Sequence, residues 1–316
     1  MNSRPKILIL KLGYSETLDP EIGRVASLGD VVRTTPILEA LRERHPGAHI
    51  SWVVSASAEP LLHGHRRIDR ILVWDEFVPF QLMREKFDVL VNLEKIPGVC
   101  AVADMIDAWT KYGFRFDSLT GNYHAYERGL NFIDYIAQKR ANGKAKACWQ
   151  KVLIEMMGVS WREQPYEIGY RPATDASVDI GLNHMIGPKW PSKAMPRPRW
   201  EQLEHRLRGA GFTTSWQQGL EDLYQYMDWI NSCRILVSQD SLGVHIALAL
   251  GKAVVAMFGP TDAEEIFFYG RGRAILAGRE CDLAPCYAPR CPSGRQCMRD
   301  VDIDEVVTSV HELARQ

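Results

Sequence analysis

The sequence predicts an α/β protein of two domains, each a parallel sheet wrapped by helices, and three observations carry that expectation. Short apolar runs recur between helical patterns in both halves, as at Lys6–Leu12, His49–Val54, Phe87–Leu93 and Val254–Phe258. Runs that are apolar without alternation suit strands buried on both faces, as parallel sheets require. The stretch Arg234–Asp262 reads as strand, loop, helix and strand, a βαβ unit whose crossover must be right-handed. Finally, 316 residues at 46% hydrophobic content can furnish a core for each of two domains.

Taken in order, Lys6–Leu12 is the first strand, and Gly13–Leu28 is a polar loop holding Pro20, longer than an ordinary βα turn. A helix is expected from Gly29 to Arg44, with Val31, Val32, Ile37, Leu38 and Leu41 at helical spacing and a bend at Pro36. Strands follow at His49–Val54, Ile68–Trp74 and Phe87–Leu93, with a helix around Phe80–Lys86 before the last. Ile96–Tyr170 reads as less regular, with helices at Gly129–Gln138 and Ala147–Met157, and closes the first domain. The domains are placed at 1–165 and 166–316, facing a cleft. In the second, Asp179–Leu182 and Phe212–Trp216 read as strands, and Trp200–Ala210 and Leu223–Asn231 as helices. A last helix spans Asp302–Ala314.

Charge and cysteine usage narrow the class. With 38 Lys and Arg against 39 Asp and Glu, the formal net charge is −1, which argues against a protein-wide nucleic-acid surface. No apolar run reaches the roughly 18 residues of a membrane span, and Met1–Lys6 leads straight into a strand. The expectation is a cytosolic protein. Cys100, Cys148 and Cys233 sit in apolar surroundings, whereas Cys281, Cys286, Cys291 and Cys297 are clustered. Four thiols so close can hold zinc or an iron–sulfur cluster, but neither half has the C-x-x-C spacing of zinc ribbons. The residues leave metal binding open there, and no cofactor or metal is assigned to the site.

Chemistry concentrates where strands end. In βαβ units ligands lie beyond the carboxyl ends of strands, here Gln239–Gly243 and Gly259–Asp262. The rim groups Asp240, Ser241, Leu242, Gly243, His245 and Thr261 stand around a helix N-terminus, whose free N–H groups and dipole suit a diphosphate. His245 is equally readable as a structural histidine. Gln217 and Gln218 follow a neighbouring strand and are placed to meet the nucleoside. In the first half, Ser27-Leu28-Gly29-Asp30 opens a helix and continues to Thr34 and Pro36. From the residues alone Asp30 is a helix cap or a general base.

The run Asp240-Ser241-Leu242-Gly243-Val244-His245 and, after it, Gly251-Lys252 through Gly259-Pro260-Thr261 resemble the C-terminal signature of the heptosyltransferase family. Ser27-x-Gly29-Asp30-x-x-x-Thr34-x-Pro36 is similar to that family's S-x-G-D-x-x-x-T-x-P motif, and Trp190-Pro191-Ser192-Lys193-Ala194-Met195-Pro196 to its W-P-x-K-x-W-P loop, with methionine where tryptophan is frequent. The cysteine stretch also has counterparts there. The resemblance implies two Rossmann-like domains of the GT-B glycosyltransferase architecture, with the last helix packing back on the first domain. It implies an inverting, metal-independent transfer of a sugar, heptose from ADP-heptose, onto a lipopolysaccharide-core saccharide met at the inner face of the membrane. Asp30 is then the base, Lys193 steadies the leaving diphosphate, and Ser27, Gly29 and Thr34 lie on the acceptor side. The Gly13–Val25 loop departs from the family pattern. A sugar-nucleotide epimerase and a non-catalytic nucleotide-sugar-binding protein are the alternatives.

Overall fold

The computed structural model describes residues 4–14, 26–135, 147–219 and 221–316. The chain divides into two compact units, the first ending at Tyr170 and the second running Arg171–Gln316. Most of the Gly13–Val25 departure, and the end of the helix expected over Gly129–Gln138, lie outside the described residues.

The first unit is a six-stranded sheet, built from β1 (Lys6–Leu10), β2 (His49–Val54), β3 (Arg70–Val73), β4 (Lys86–Asn92), β5 (Asp107–Asp117) and β6 (Asn122–Ala125). Its order is β3-β2-β1-β4-β5-β6, parallel throughout except for the β5–β6 pair. The chain leaves β1 in one direction and returns on its other side as β4, so the switch of winding falls between them. Ile7, Leu8, Ile9 and Leu10 are fully buried, as the unbroken apolar run requires.

Two readings of this half are corrected. The helix expected over Gly29–Arg44 is two helices, Leu28–Val32 and Ile37–Arg44. Pro36 has no N–H to give and disfavours helical backbone at Thr35, and the link is made of tighter turns such as Thr35 N to Val32 O at 3.0 Å. The segment read as irregular holds the longest strand, β5, with the antiparallel β6 beside it. Asp107, Lys111, Arg115 and Asp117 interrupt its apolar residues, so hydropathy hides it.

The second unit orders β7 (Val178–Asn183), β8 (Thr214–Trp216), β9 (Cys233–Gln239), β10 (Ala253–Phe258) and β11 (Gly272–Leu276) as β11-β10-β9-β7-β8, all parallel. The winding switches between β7 and β9. The edge strand β11 exposes alternate residues and carries too short an apolar run to be read in advance. The helix Leu242–Ala249 joins β9 to β10 and stops at Leu250–Gly251, where glycine takes φ of 73°. On one face of the sheet, Trp200, Leu203 and Leu207 of the Arg197–Gly209 helix share a core with Ile180, Val237, Val255 and Met257.

The last helix, Ile303–Ala314, buries Ile303, Val306, Val310 and Leu313 in the second unit's core, against Leu203 and Leu207. An amphipathic helix with its single apolar stripe buried there has that face occupied. Among the described residues no helix is long and apolar enough to cross a membrane.

The Asp302 side chain caps this helix, accepting from the N–H groups of Asp304 at 2.9 Å and Glu305 at 3.1 Å. Asp302→Ala is expected to cost about 1 kcal/mol, whereas Leu203→Ala, which opens a cavity in the same core, costs about 2–5 kcal/mol. Urea unfolding monitored by the second unit's tryptophans measures both. Equal losses would contradict this assignment of cap and core.

Candidate functional site

At the β7/β9 switch of the second unit, one carboxylate organises the rim. Asp240, the first residue past β9, receives the Lys193 ammonium on Oδ2 at 2.5 Å and the Thr261 hydroxyl on the same oxygen at 2.7 Å. Burial works to raise its carboxyl, but Lys193, Thr261 and the nearby His245 hold it down to about 2. The pair is mostly sheltered, with side-chain exposures of 15% for Lys193 and 12% for Asp240, so solvent screens it little.

Lys193 reaches Asp240 because its loop is pinned. Residues Pro191–Lys193 form one 3₁₀ turn, and the fully buried Gln239 amide accepts from Met195 N at 2.5 Å and donates to His184 O at 3.0 Å. Ser192 ties the loop from the other side, its N–H and hydroxyl donating to Pro289 O at 3.0 Å and Ala288 O at 2.6 Å. Met195, at the position where tryptophan is frequent, is buried in the core. The Trp190 ring lies 5.2 Å from the Lys193 ammonium, a cation–π contact that further restricts it.

Beside them, Ser241 is the N-cap of the Leu242–Ala249 helix, and its side chain makes no cap hydrogen bond. Its hydroxyl belongs to a buried polar chain instead. Tyr226 OH donates to Asn183 Oδ1 at 2.8 Å, while Asn183 Nδ2 donates to the hydroxyls of Ser238 at 2.8 Å and Ser241 at 3.0 Å. A Cβ on Gly243 would lie 2.6 Å from both Asn183 Nδ2 and Tyr226 OH. Glycine is therefore dictated by this network, which holds the helix start rigidly with its N–H groups outward. Leu242 is half-buried at the helix start, and His245 is buried. Gln217 follows β8, accepting from Met185 N at 2.8 Å, and Gln218 beside it is exposed.

In the first unit, Ser27 is the N-cap of the Leu28–Val32 helix and Asp30 its third residue. Asp30 is thus not the cap. It is 9% exposed and pairs with Arg33 at 3.5 Å, and the Arg33 guanidinium stacks 4.7 Å from the Trp149 ring. Gly29 is half-buried. Thr34 is fully buried and its hydroxyl donates to Asp30 O at 2.7 Å, so it acts on the shape of the helix end.

Asn183 and Tyr226 went unread in the sequence, and Gln239 was read only as part of the rim, since buried amides and hydroxyls carry no periodic signal. Asn183 ends β7 and Gln239 ends β9, and a polar residue closing an apolar strand was the available cue. The cysteines Cys281, Cys286, Cys291 and Cys297 are free thiols lining one pocket with Gly259 and Gly278. Hydrogen bonds from the Ser293 hydroxyl and Gln296 N–H bring the Cys291 thiol down to about 7. Burial and the other three thiols push Cys297 up to about 11. Among the described residues no three His, Cys, Asp or Glu side chains are grouped as a metal site requires.

The Asp240 pair has a consequence for acid stability. A carboxyl near 2 in the folded chain and about 4 unfolded stabilises the fold fully above pH 4, and that contribution is lost as pH falls toward 2. Asp240→Asn should therefore cost about 2 kcal/mol at pH 7, a deficit that closes between pH 4 and 2. Urea unfolding of both chains across that range checks this, and a pH-independent difference would contradict it.

A family model for glycosyltransferase family 9 (heptosyltransferase) matches residues 218–294, which include the Asp240 rim and the Gly259–Asp262 turn. Lipopolysaccharide heptosyltransferase 1 of Pseudomonas aeruginosa is 20% identical, over 85% of this chain and 86% of its own length. Among solved structures, E. coli heptosyltransferase WaaC with ADP is similar at a TM-score of 0.69 and 14% identity, covering 98% of this chain and 99% of the other. A family 9 glycosyl transferase from Veillonella parvula gives 0.68 at 18% identity, covering 98% and 97%. These two show a shared fold, the GT-B architecture. The family match over the rim and a relative that is similar along most of the chain support a glycosyltransferase that resembles the heptosyltransferases of family 9.

Proposed function

We propose that this glycosyltransferase moves heptose from an ADP-activated donor to a lipopolysaccharide-type saccharide acceptor, inverting the anomeric centre without a metal. The observation that carries the reading is the pinned Lys193 beside the rigid start of the Leu242–Ala249 helix, a cation and a row of N–H groups at one strand end. The printed names of its relatives, a lipopolysaccharide heptosyltransferase and a heptosyltransferase with ADP, support the choice of donor and acceptor.

In this reading the donor diphosphate lies on the helix N-terminus and against Lys193. As the acceptor oxygen forms its bond to the anomeric carbon, the bond from that carbon to the phosphate oxygen breaks. Negative charge grows on the departing ADP, and Lys193 and the Ser241–Gly243 N–H groups stabilise it. Asp240 keeps Lys193 in place before donor arrives, and Thr261 keeps Asp240. Asp30 accepts the proton from the attacking hydroxyl. Attack from the face opposite the leaving group inverts the centre. A lipid-linked acceptor would bring the protein to the inner face of the membrane.

ADP should raise the Tm of the purified protein without added metal, by the equivalent of about 2.7 kcal/mol at a hundred times its Kd, and UDP, GDP and CMP should leave it unchanged. A shift with another nucleotide only would overturn the donor assignment.

Asp30→Asn should lower transfer from ADP-heptose to heptose-deficient lipopolysaccharide by about 10²–10⁴-fold while ADP binds as before. Lys193→Met should lower it by about 10²–10³-fold and weaken ADP as well. Calorimetry alongside the transfer assay separates the two, and an active Asp30→Asn enzyme would remove Asp30 as the base.

A further inference from the structure

The first unit carries a buried ion pair that the proposed reaction leaves unused. Lys11 follows β1 and Glu94 follows β4, on the two strands between which the winding of that sheet switches. Both side chains are fully buried, with Lys11 Nζ 3.6 Å from Glu94 Oε1. The same oxygen accepts from the N–H groups of Leu12 at 2.7 Å, Gly13 at 3.0 Å and Tyr14 at 3.4 Å. Glu94 Oε2 is buried with no hydrogen-bond partner. A charged pair at such depth is costly to desolvate, and an apolar pair of similar volume would often stabilise the fold as well. Its presence calls for a use.

The connections lead to Asp30. Tyr14 bridges Ala26, and Gly13 O accepts the Ser27 N–H, closing the neck of the long loop after β1. Ser27 O in turn accepts the Asp30 N–H at 3.0 Å. Gly13 takes φ of 95°, and a Cβ there would lie 2.9 Å from Val31 Cγ2, so the neck is pressed onto the Asp30 helix itself. Glu94 thus grips one side of the neck, and the other side is the N-cap of the helix bearing Asp30. Electrostatics run the same way. Burial holds the Glu94 carboxyl above its usual range, Lys11 and the N–H groups oppose that rise without reversing it, and the Asp30 charge adds a smaller contribution to it.

We propose that Lys11 and Glu94 are positioning residues for Asp30: the pair locks the loop neck onto the Asp30 helix, and its balanced charge sets the protonation of that carboxylate. The charged groups around Asp30 include Arg33 on its own helix, Glu94 from the end of β4, and Lys11 beside Glu94. Glu94→Gln leaves the N–H groups an acceptor but removes a negative charge that Asp30 senses. Lys11→Met does the reverse. The proposal rests on the reading of Asp30 as the base for its catalytic meaning, but its structural content does not.

The test is a carboxyl NMR titration of protein labelled with ¹³C-aspartate, with the Asp30 resonance assigned by its loss in Asp30→Asn. The midpoint of Asp30 should fall by about one pH unit in Glu94→Gln and rise by about one in Lys11→Met, and return to the wild-type value in the Glu94→Gln, Lys11→Met double variant. The acidic limb of the transfer rate should move with it. Should a single variant not fold, the reciprocal measurement serves. In ¹³C-glutamate protein the Glu94 midpoint should fall in Asp30→Asn, and an unchanged midpoint overturns the coupling. One common Asp30 midpoint in all variants overturns the proposal. If Asp30→Asn transfers normally while the midpoints move as stated, the coupling stands and the base assignment fails, so the two failures are told apart.

Discussion

The second unit depends on keeping one carboxylate, Asp240, ionised where solvent hardly reaches it. Without Lys193 at 2.5 Å the buried charge would be unfavourable, and without Asp240 the lysine would have no fixed direction. Each partner is secured by a different element: Lys193 by the Gln239 amide and the Ser192 contacts, Asp240 by the end of β9 and by Thr261 past the end of β10. The Asn183–Tyr226 network does the same for the helix start. A cation and a row of N–H groups are thereby arranged before any anion arrives, which is what makes electrostatic stabilisation effective in catalysis.

Each unit places its polar machinery where the winding of its sheet reverses. In the second the groups stand at the ends of β7 and β9, in the first at the ends of β1 and β4. At those points neighbouring connections leave toward opposite faces of the sheet and uncover the strand ends. Charged and polar residues stand there, the buried Lys11, Asn92 and Glu94 in one unit and the buried Asn183 and Gln239 with the mostly sheltered Asp240 in the other. The same topological cause yields an ion pair in both, fully buried in the first unit and mostly sheltered in the second.

Much of this was legible in the sequence because it was written in local signals. Unbroken apolar runs marked β1, β2, β4, β9 and β10, and Gly251 marked the end of the helix that Asp240 precedes. The Asp240–Gly243 turn stood out as a strand end opening a helix, whereas Asp30 and Lys193 were singled out only through the resemblance to the heptosyltransferases. What escaped was set by tertiary contacts. β5 has polar residues breaking its apolar pattern, β11 is a short edge, and the last helix has a clear stripe that does not say which core it enters. Glu94 and Asn183 looked like ordinary loop polars, since only the fold brings their partners from far along the chain.

The central claim is that the diphosphate of the donor is held by Lys193 and the N–H groups at the start of the Leu242–Ala249 helix. Its most direct test is amide NMR of the intact chain titrated with ADP. The account predicts that Ser241, Leu242, Gly243 and the Trp190–Ala194 loop shift first and saturate together, and that Lys193→Met weakens the binding they report. Saturable shifts elsewhere with these amides unmoved would contradict it.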